Sequence, residues 1–117
     1  MRRLMVGVAA AAVTLGALGT AAPAAADPDT AFANELNTYG IYGQKDYNAW
    51  IGKIACKRLR TNVDPDVFAS AKFVHDQLQT DSSTDQAYKF LAAALRTYCP
   101  DRLPILDQAA GAAEAPA

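Results

Sequence analysis

Two cysteines in 117 residues constrain this chain more than any other feature. Cys56 lies in the stretch Ile51-Gly52-Lys53-Ile54-Ala55-Cys56-Lys57-Arg58-Leu59. Cys99 closes Phe90-Leu91-Ala92-Ala93-Ala94-Leu95-Arg96-Thr97-Tyr98-Cys99-Pro100. Both stretches carry apolar residues at helical spacing. A bond between them clamps the second helix of the pattern to the fourth and encloses the third. With two cysteines only one internal pairing exists, and an oxidising compartment lets it persist. Closing a loop of about 44 residues removes denatured-chain entropy equivalent to roughly 4 kcal/mol. That is a large share of the ~5–10 kcal/mol that a small domain holds. The alternative is two free buried thiols, or one catalytic thiol. Neither cysteine has a Cys-x-x-Cys spacing or a histidine beside it in sequence.

The amino-terminal segment argues for export. Arg2 and Arg3 precede an apolar run from Leu4 to Leu18, and Ala24-Ala25-Ala26 forms an A-x-A site before Asp27. Residues 1–26 therefore read as a signal peptide cleaved after Ala26, giving a protein secreted to the cell envelope or the medium. The alternative is an uncleaved anchor. The Gly, Thr, Pro and Ala content of the run makes it a poor membrane helix. No membrane span is expected after cleavage, and Asp27 rather than a lipid-bearing cysteine directly follows the site. Loss of Arg2 and Arg3 moves the formal charge from −1 to −3. That balance argues against nonspecific binding to nucleic acid or to an anionic membrane.

From Asp27 onward four helices are predicted. Phe32, Leu36 and Tyr39 give the first an apolar face over about Thr30 to Tyr39, with Asp29, or Asp27 ahead of Pro28, as its cap. Gly40 suits a left-handed stop, and Ile41 and Tyr42 are expected to fold back onto the core. Asp46 is the expected cap of the second helix, whose broad stripe is Tyr47, Trp50, Ile51, Ile54, Ala55 and Leu59. Gly52 inside that stripe costs helix stability, so a close neighbour is expected there. Asp64-Pro65-Asp66 predicts a third helix capped by Asp64 and running to about Gln79. Ser83 with Gln86 forms a capping box for a fourth, ended by Pro100. Leu103 to Leu106 is a short docking segment. The domain is placed at 27–106, and 107–117 reads as a disordered Ala/Pro-rich tail. The fold class is all-α: a small bundle of about four short helices stapled by Cys56–Cys99.

Chemistry is harder to find. His75 is the single histidine. Asp76 next to it points about 100° away on a helix and cannot orient it. A histidine at the edge of the apolar face, bonded to water or backbone, is the plainer reading. A metal site needs more nitrogen or sulfur ligands than remain once the cysteines pair. The aspartates Asp46, Asp64, Asp66, Asp81 and Asp85 sit where caps belong. No phosphate loop, nucleophile elbow, metalloprotease signature or EF-hand loop occurs. Catalytic, cofactor-binding and metal residues are therefore all assigned as none. Tyr39, Tyr42, Tyr47 and Trp50 form the densest aromatic cluster. They are either ordinary core around the first turn or a candidate binding patch, since Tyr and Trp suit half-wet contact surfaces. Lys53, Lys57, Arg58 and Arg60 load the end of the second helix with positive charge, as a solvated helix end or as a patch for an anionic partner.

Phe32-x-x-x-Leu36-x-x-x-Gly40-Ile41, Gly52-x-x-x-Cys56-x-x-Leu59, Gln86 before Phe90, and Ala94-x-x-x-Tyr98-Cys99-Pro100 resemble, in this order, the DUF732 family of small secreted mycobacterial and actinobacterial proteins. The resemblance spans about Asp29 to Asp101. It implies export, a helical fold and the Cys56–Cys99 pair, and it implies no activity. In that family a glycine often follows the Cys-x-x-Leu element. Arg60 and Thr61 stand there here, so the second loop is expected to differ.

The expectation is a non-catalytic binding or interaction module of unknown biochemical function. Its partner would be an envelope or host protein, or a lipid. The alternative is a carrier of a small hydrophobic ligand between the helices near Tyr39, Tyr42 and Trp50, with haem (ligated by His75 or a tyrosinate) or lipid as cargo. An enzyme using His75 stands behind both.

Overall fold

The first helix, α1, spans Pro28–Thr38, and its start is written in three residues. Asp27 is extended, its carboxylate accepts from the Thr30 N–H at 2.9 Å, and Pro28 occupies the first turn. At the other end Gly40 adopts φ +77°. Its N–H reaches the Asn37 carbonyl, and the Ile41 N–H reaches the Leu36 carbonyl, a Schellman closure. The apolar contact that accompanies this motif is Ile41 with Leu36, both in the core. A computed structural model describes residues 27–114 of the chain. The expected signal peptide, 1–26, and its cleavage site lie outside the described residues.

Helix α2, Lys45–Arg60, is capped by Gln44, whose side-chain carbonyl accepts from the Tyr47 N–H at 2.9 Å. The expected cap, Asp46, instead sits in the first turn, where a negative charge also favours the helix dipole. The helix runs through Arg60, and the left-handed residue after it is Asn62, φ +60°. Asn tolerates that conformation, so no glycine is needed after Leu59.

Helix α3, Val67–Gln77, begins two residues later than its sequence signal. Asp66, not Asp64, caps it, accepting from the Ala69 N–H at 2.8 Å. Asp64 is buried and takes both prongs of Arg58 at 2.9 Å, with the Ser70 hydroxyl at 3.1 Å. The reason for the shift is electrostatic: a carboxylate withdrawn from water needs a cation, and the end of α2 delivers one. Arg58 also lies over the Phe73 ring at 4.2 Å. It is therefore part of the packing rather than a free surface charge.

Helix α4, Thr84–Tyr98, carries the expected Ser83–Gln86 capping box. It is the central rod, packed against α1, α2, α3 and the 3₁₀ segment Pro100–Ile105. Ala87, Phe90, Leu91, Ala94 and Leu95 are fully buried along it. Phe32 meets Phe90 and Tyr98 edge-on, with centroids at 5.2 and 5.3 Å. Gly52 faces this aromatic group. A Cβ there would stand 3.1 Å from the Tyr98 ring and 3.2 Å from Phe32. The absent side chain lets α2 approach, which is the use the sequence implies. Cys56 and Cys99 are bonded, Cα to Cα 6.0 Å, across 43 residues. The bond ties the last third of α2 to the end of α4 with α3 inside the loop.

The tail is corrected in part. Residues expected to be disordered from 107 form α5, Leu106–Glu114. Its Ala-rich sequence has high helix propensity. Gln108 anchors it by accepting from the Val67 N–H at 2.8 Å, a first-turn donor of α3 that has no partner within its own helix. Leu103, Ile105, Leu106 and Ala109 pack against the core, so the docking segment is realised. Only helices occur among the described residues, and none is long and apolar enough to cross a membrane.

Candidate functional site

The starts of α2 and α4 open the bundle. The loop after α1 (residues 39–44), the first turn of α2, the end of α3 and the 79–83 loop surround a cleft of about 530 Å³. Its rim is made by Tyr42 and Tyr47, 66 % and 42 % exposed. Trp50, 57 % exposed, continues the rim, its ring 6.0 Å from that of Tyr47. Of the expected aromatic patch, Tyr42, Tyr47 and Trp50 are thus surface residues at one end of the molecule. Tyr47 and Trp50 both leave the broad apolar stripe assigned to them, and Tyr42 does not fold inward as Ile41 does. Gly43, between Tyr42 and the start of α2, takes φ +129°, a conformation that favours glycine.

Tyr39 goes elsewhere. It is half-buried, and its hydroxyl donates to Glu35 at 2.6 Å. Arg96 closes on the same carboxylate. The hydrogen bond to Glu35, followed by burial, pushes the Tyr39 phenol up from its ordinary range.

Two contacts hold the walls of the cleft. Gln86 completes the capping box with its carbonyl, while its NH2 donates to the Tyr39 carbonyl at 3.1 Å. One side chain thereby starts α4 and pins the loop that follows α1. His75 Nε2 lies 2.9 Å from the Ser82 carbonyl, which can only accept, so that nitrogen carries the proton. This is the backbone-bonded edge histidine expected from the sequence, and it braces the 79–83 loop. A shallower cleft of about 250 Å³ runs past His75 between Phe68 and Tyr88.

The residue that sequence reasoning missed is Asn48. It is 7 % exposed, lines the cleft, and its carboxamide makes no hydrogen bond among the described residues. A Cβ on Gly43 would stand 3.6 Å from Asn48 Nδ2, so no side chain of that residue intrudes beside the amide. A signal was present. Asn48 precedes Ile51 and Gly52 by three and four places and Ala55 by seven, so it lies on the inward face of α2.

The basic residues of α2 are largely matched. Lys53 lies 3.3 Å from Asp29, Arg58 is held by Asp64, and Arg60 grips Asp101 at 2.7 and 3.0 Å. The hydrogen bond from Tyr98 holds the Asp29 carboxyl below its ordinary value, and Arg60 does the same for Asp101. Burial, then Asp29, pushes the Tyr98 phenol far above its ordinary value. No cluster of three or more His, Cys, Asp or Glu side chains that could hold a metal occurs among the described residues. The interior of the bundle is filled by Phe32, Leu36, Ile51, Phe90 and Leu91.

Two proteins of Mycobacterium tuberculosis, both called uncharacterized, are similar to this chain. They come from strains CDC 1551 / Oshkosh and ATCC 25618 / H37Rv. Each is 44% identical over 98 residues, covering 83% of this chain and 88% of the relative. No solved structure matches it. Residues 28–101, from the first turn of α1 into the 3₁₀ segment, match a family described as a protein of unknown function, and the chain belongs to that family, DUF732.

Proposed function

We propose that this is an exported, non-catalytic binding module that engages its partner through the Tyr42, Tyr47 and Trp50 end of the bundle. The observation that carries the reading is where exposed apolar area collects. Of the five large hydrophobic side chains left exposed among the described residues, Tyr42 and Tyr47 line one cleft and Trp50 stands beside Tyr47. Large aromatics at a surface are costly to leave wet and are the residues that anchor interfaces. The titratable groups, by contrast, are occupied by structure: His75 in a loop brace, Glu35 and Asp29 with tyrosines, Asp64 with Arg58. Export is supported by the Arg2-Arg3 leader and by the paired cysteines, since such a bond persists in oxidising compartments. The interhelical carrier reading has less support, because the aromatics it needs stand on the rim while Phe32, Leu36 and Ile51 occupy the interior.

The test is capture. The immobilised protein and a Tyr47→Ala/Trp50→Ala variant are exposed to cell-envelope extract of the producing organism. Retention of a defined component by the first and its loss in the second is the expected result. Equal retention by both would remove this face from the function. Export is checked separately: the intact mass of material from the medium should begin at Asp27.

A further inference from the structure

We propose that the cleft binds a neutral oligosaccharide, with the Asn48 carboxamide as its buried hydrogen-bonding contact and the Tyr42 and Tyr47 rings as its stacking surface, extended by Trp50 beside Tyr47. This rests on the binding reading above and names the ligand class.

Three observations converge. The first is Asn48. Asn48 is 7 % exposed, and its carboxamide makes no hydrogen bond among the described residues, so the fold does not return what its burial costs. It opens on the cleft, where a ligand group can satisfy both its carbonyl and its NH2. The second is charge. The cleft lining includes no Lys, Arg or His, and its single ionised group is Asp81. Phosphates, sulfates and the propionates of haem would meet a carboxylate and no cation. The third is the kind of polar group. Gln44, Asn48, Gln77, Gln79 and Ser82 supply amides and a hydroxyl, each able to donate and to accept. Gln44 uses its carbonyl to cap α2 and keeps its NH2.

A sugar ring fits this combination. Its hydroxyls also donate and accept, and its C–H face lies well against an aromatic ring. A volume of about 530 Å³ is within the range of small-ligand sites. A peptide fits less well. Peptide docking is fixed by strand pairing, apolar side-chain pockets or charge clusters, and this helical rim offers none of them.

The test is NMR titration of the oxidised, isotope-labelled protein with maltotriose, cellotriose, mannotriose and galactotriose as neutral probes. A mixture of uncharged pentapeptides forms a separate arm. At least one sugar should shift the Asn48 side-chain resonances and the backbone of residues 40–48 and 77–83, saturably at millimolar ligand. Asn48→Ala should weaken that binding by about tenfold or more, the equivalent of one good hydrogen bond. The same variant should melt roughly 4–8 °C higher, because it deletes a buried polar group that the fold does not bond. Loss of binding with a gain in stability is a pair of effects that a merely structural asparagine would not give. If no sugar shifts these resonances but the peptides do, the sugar inference falls and the binding face stands. If neither does, and envelope extract is not captured either, both fall. If Asn48→Ala lowers the melting temperature, its assigned role is wrong.

Discussion

Helices α2 and α4 both begin at the cleft and finish near the disulfide, and their two ends are built on opposite rules. Toward the disulfide end most of the charged tips are paired among the described residues. The Tyr98 hydroxyl donates to Asp29 at 2.7 Å, Lys53 approaches the same carboxylate, and Arg60 forks onto Asp101. Gly52 removes the last bulk between α2 and the Phe32–Tyr98 pair. At the cleft end the bundle opens, three large aromatics face solvent, and the buried Asn48 carboxamide has no partner among the described residues. A chain this small has little stability to spare. The closed end lets the open end carry groups that do not stabilise the fold.

If that division is right, damage at the closed end should be the most severe. Replacing Cys56 and Cys99 together by Ser should cost about 4 kcal/mol, the loop-closure value for 43 residues, measured as a loss of urea midpoint in the oxidised protein. A loss under 1 kcal/mol would mean that helix packing alone carries the bundle. Arg58→Ala comes next. It strands the buried Asp64 carboxylate with only Ser70 as donor. Arg58 is itself about a third exposed, so the expected cost is about 2–3 kcal/mol, below that of a fully buried pair. The Asp64→Asn/Arg58→Met double variant should recover part of it.

Acid should act on the same end. Asp29 and Asp101 hold their protons less tightly in the fold than in the unfolded chain, owing to Tyr98 and Arg60 respectively. Between those two ranges the unfolded chain binds more protons. Their contribution is therefore complete above about pH 4 and is lost as pH falls through the lowered folded values. Melting temperature against pH from neutrality to pH 2 should fall in that window, and the slope should flatten in Asp29→Asn/Asp101→Asn. Tyr98 runs the other way. Its raised phenol contributes below about pH 10, the unfolded range, and that contribution is lost as pH climbs above it.

Local devices were legible at both ends of the bundle. Asp27-Pro28, Gly40 and Ser83–Gln86 act within a few residues of themselves, so their structural roles can be read locally. The cysteine pair needed only its count and compartment. Misreadings fell where a distant group decided. Asp64 looks like a cap until Arg58 and Ser70 are brought to it, and the 107–114 segment looks featureless until Gln108 meets Val67. The aromatic patch was found as a set of residue types. Its geometry was not, because helical periodicity does not say that Trp50 turns outward while Asn48 turns in. An asparagine on the buried side of an amphipathic pattern was the overlooked clue.

The smallest expected effect gives the sharpest contrast between the two ends. Tyr42→Ala and Trp50→Ala each remove a large ring, yet both rings stand more than half in water. Neither hydroxyl nor indole N–H makes a hydrogen bond among the described residues. Truncation there should change stability by no more than about 0.5 kcal/mol, the usual range for surface positions. A buried ring such as Phe90 should instead cost about 3–5 kcal/mol when cut to Ala. Chemical denaturation of the three single variants side by side measures the contrast. If Trp50→Ala approached the Phe90→Ala loss, the rim would be part of the framework rather than a surface held out for a ligand. The stability cost of wet aromatics would then need a structural explanation instead of a binding one.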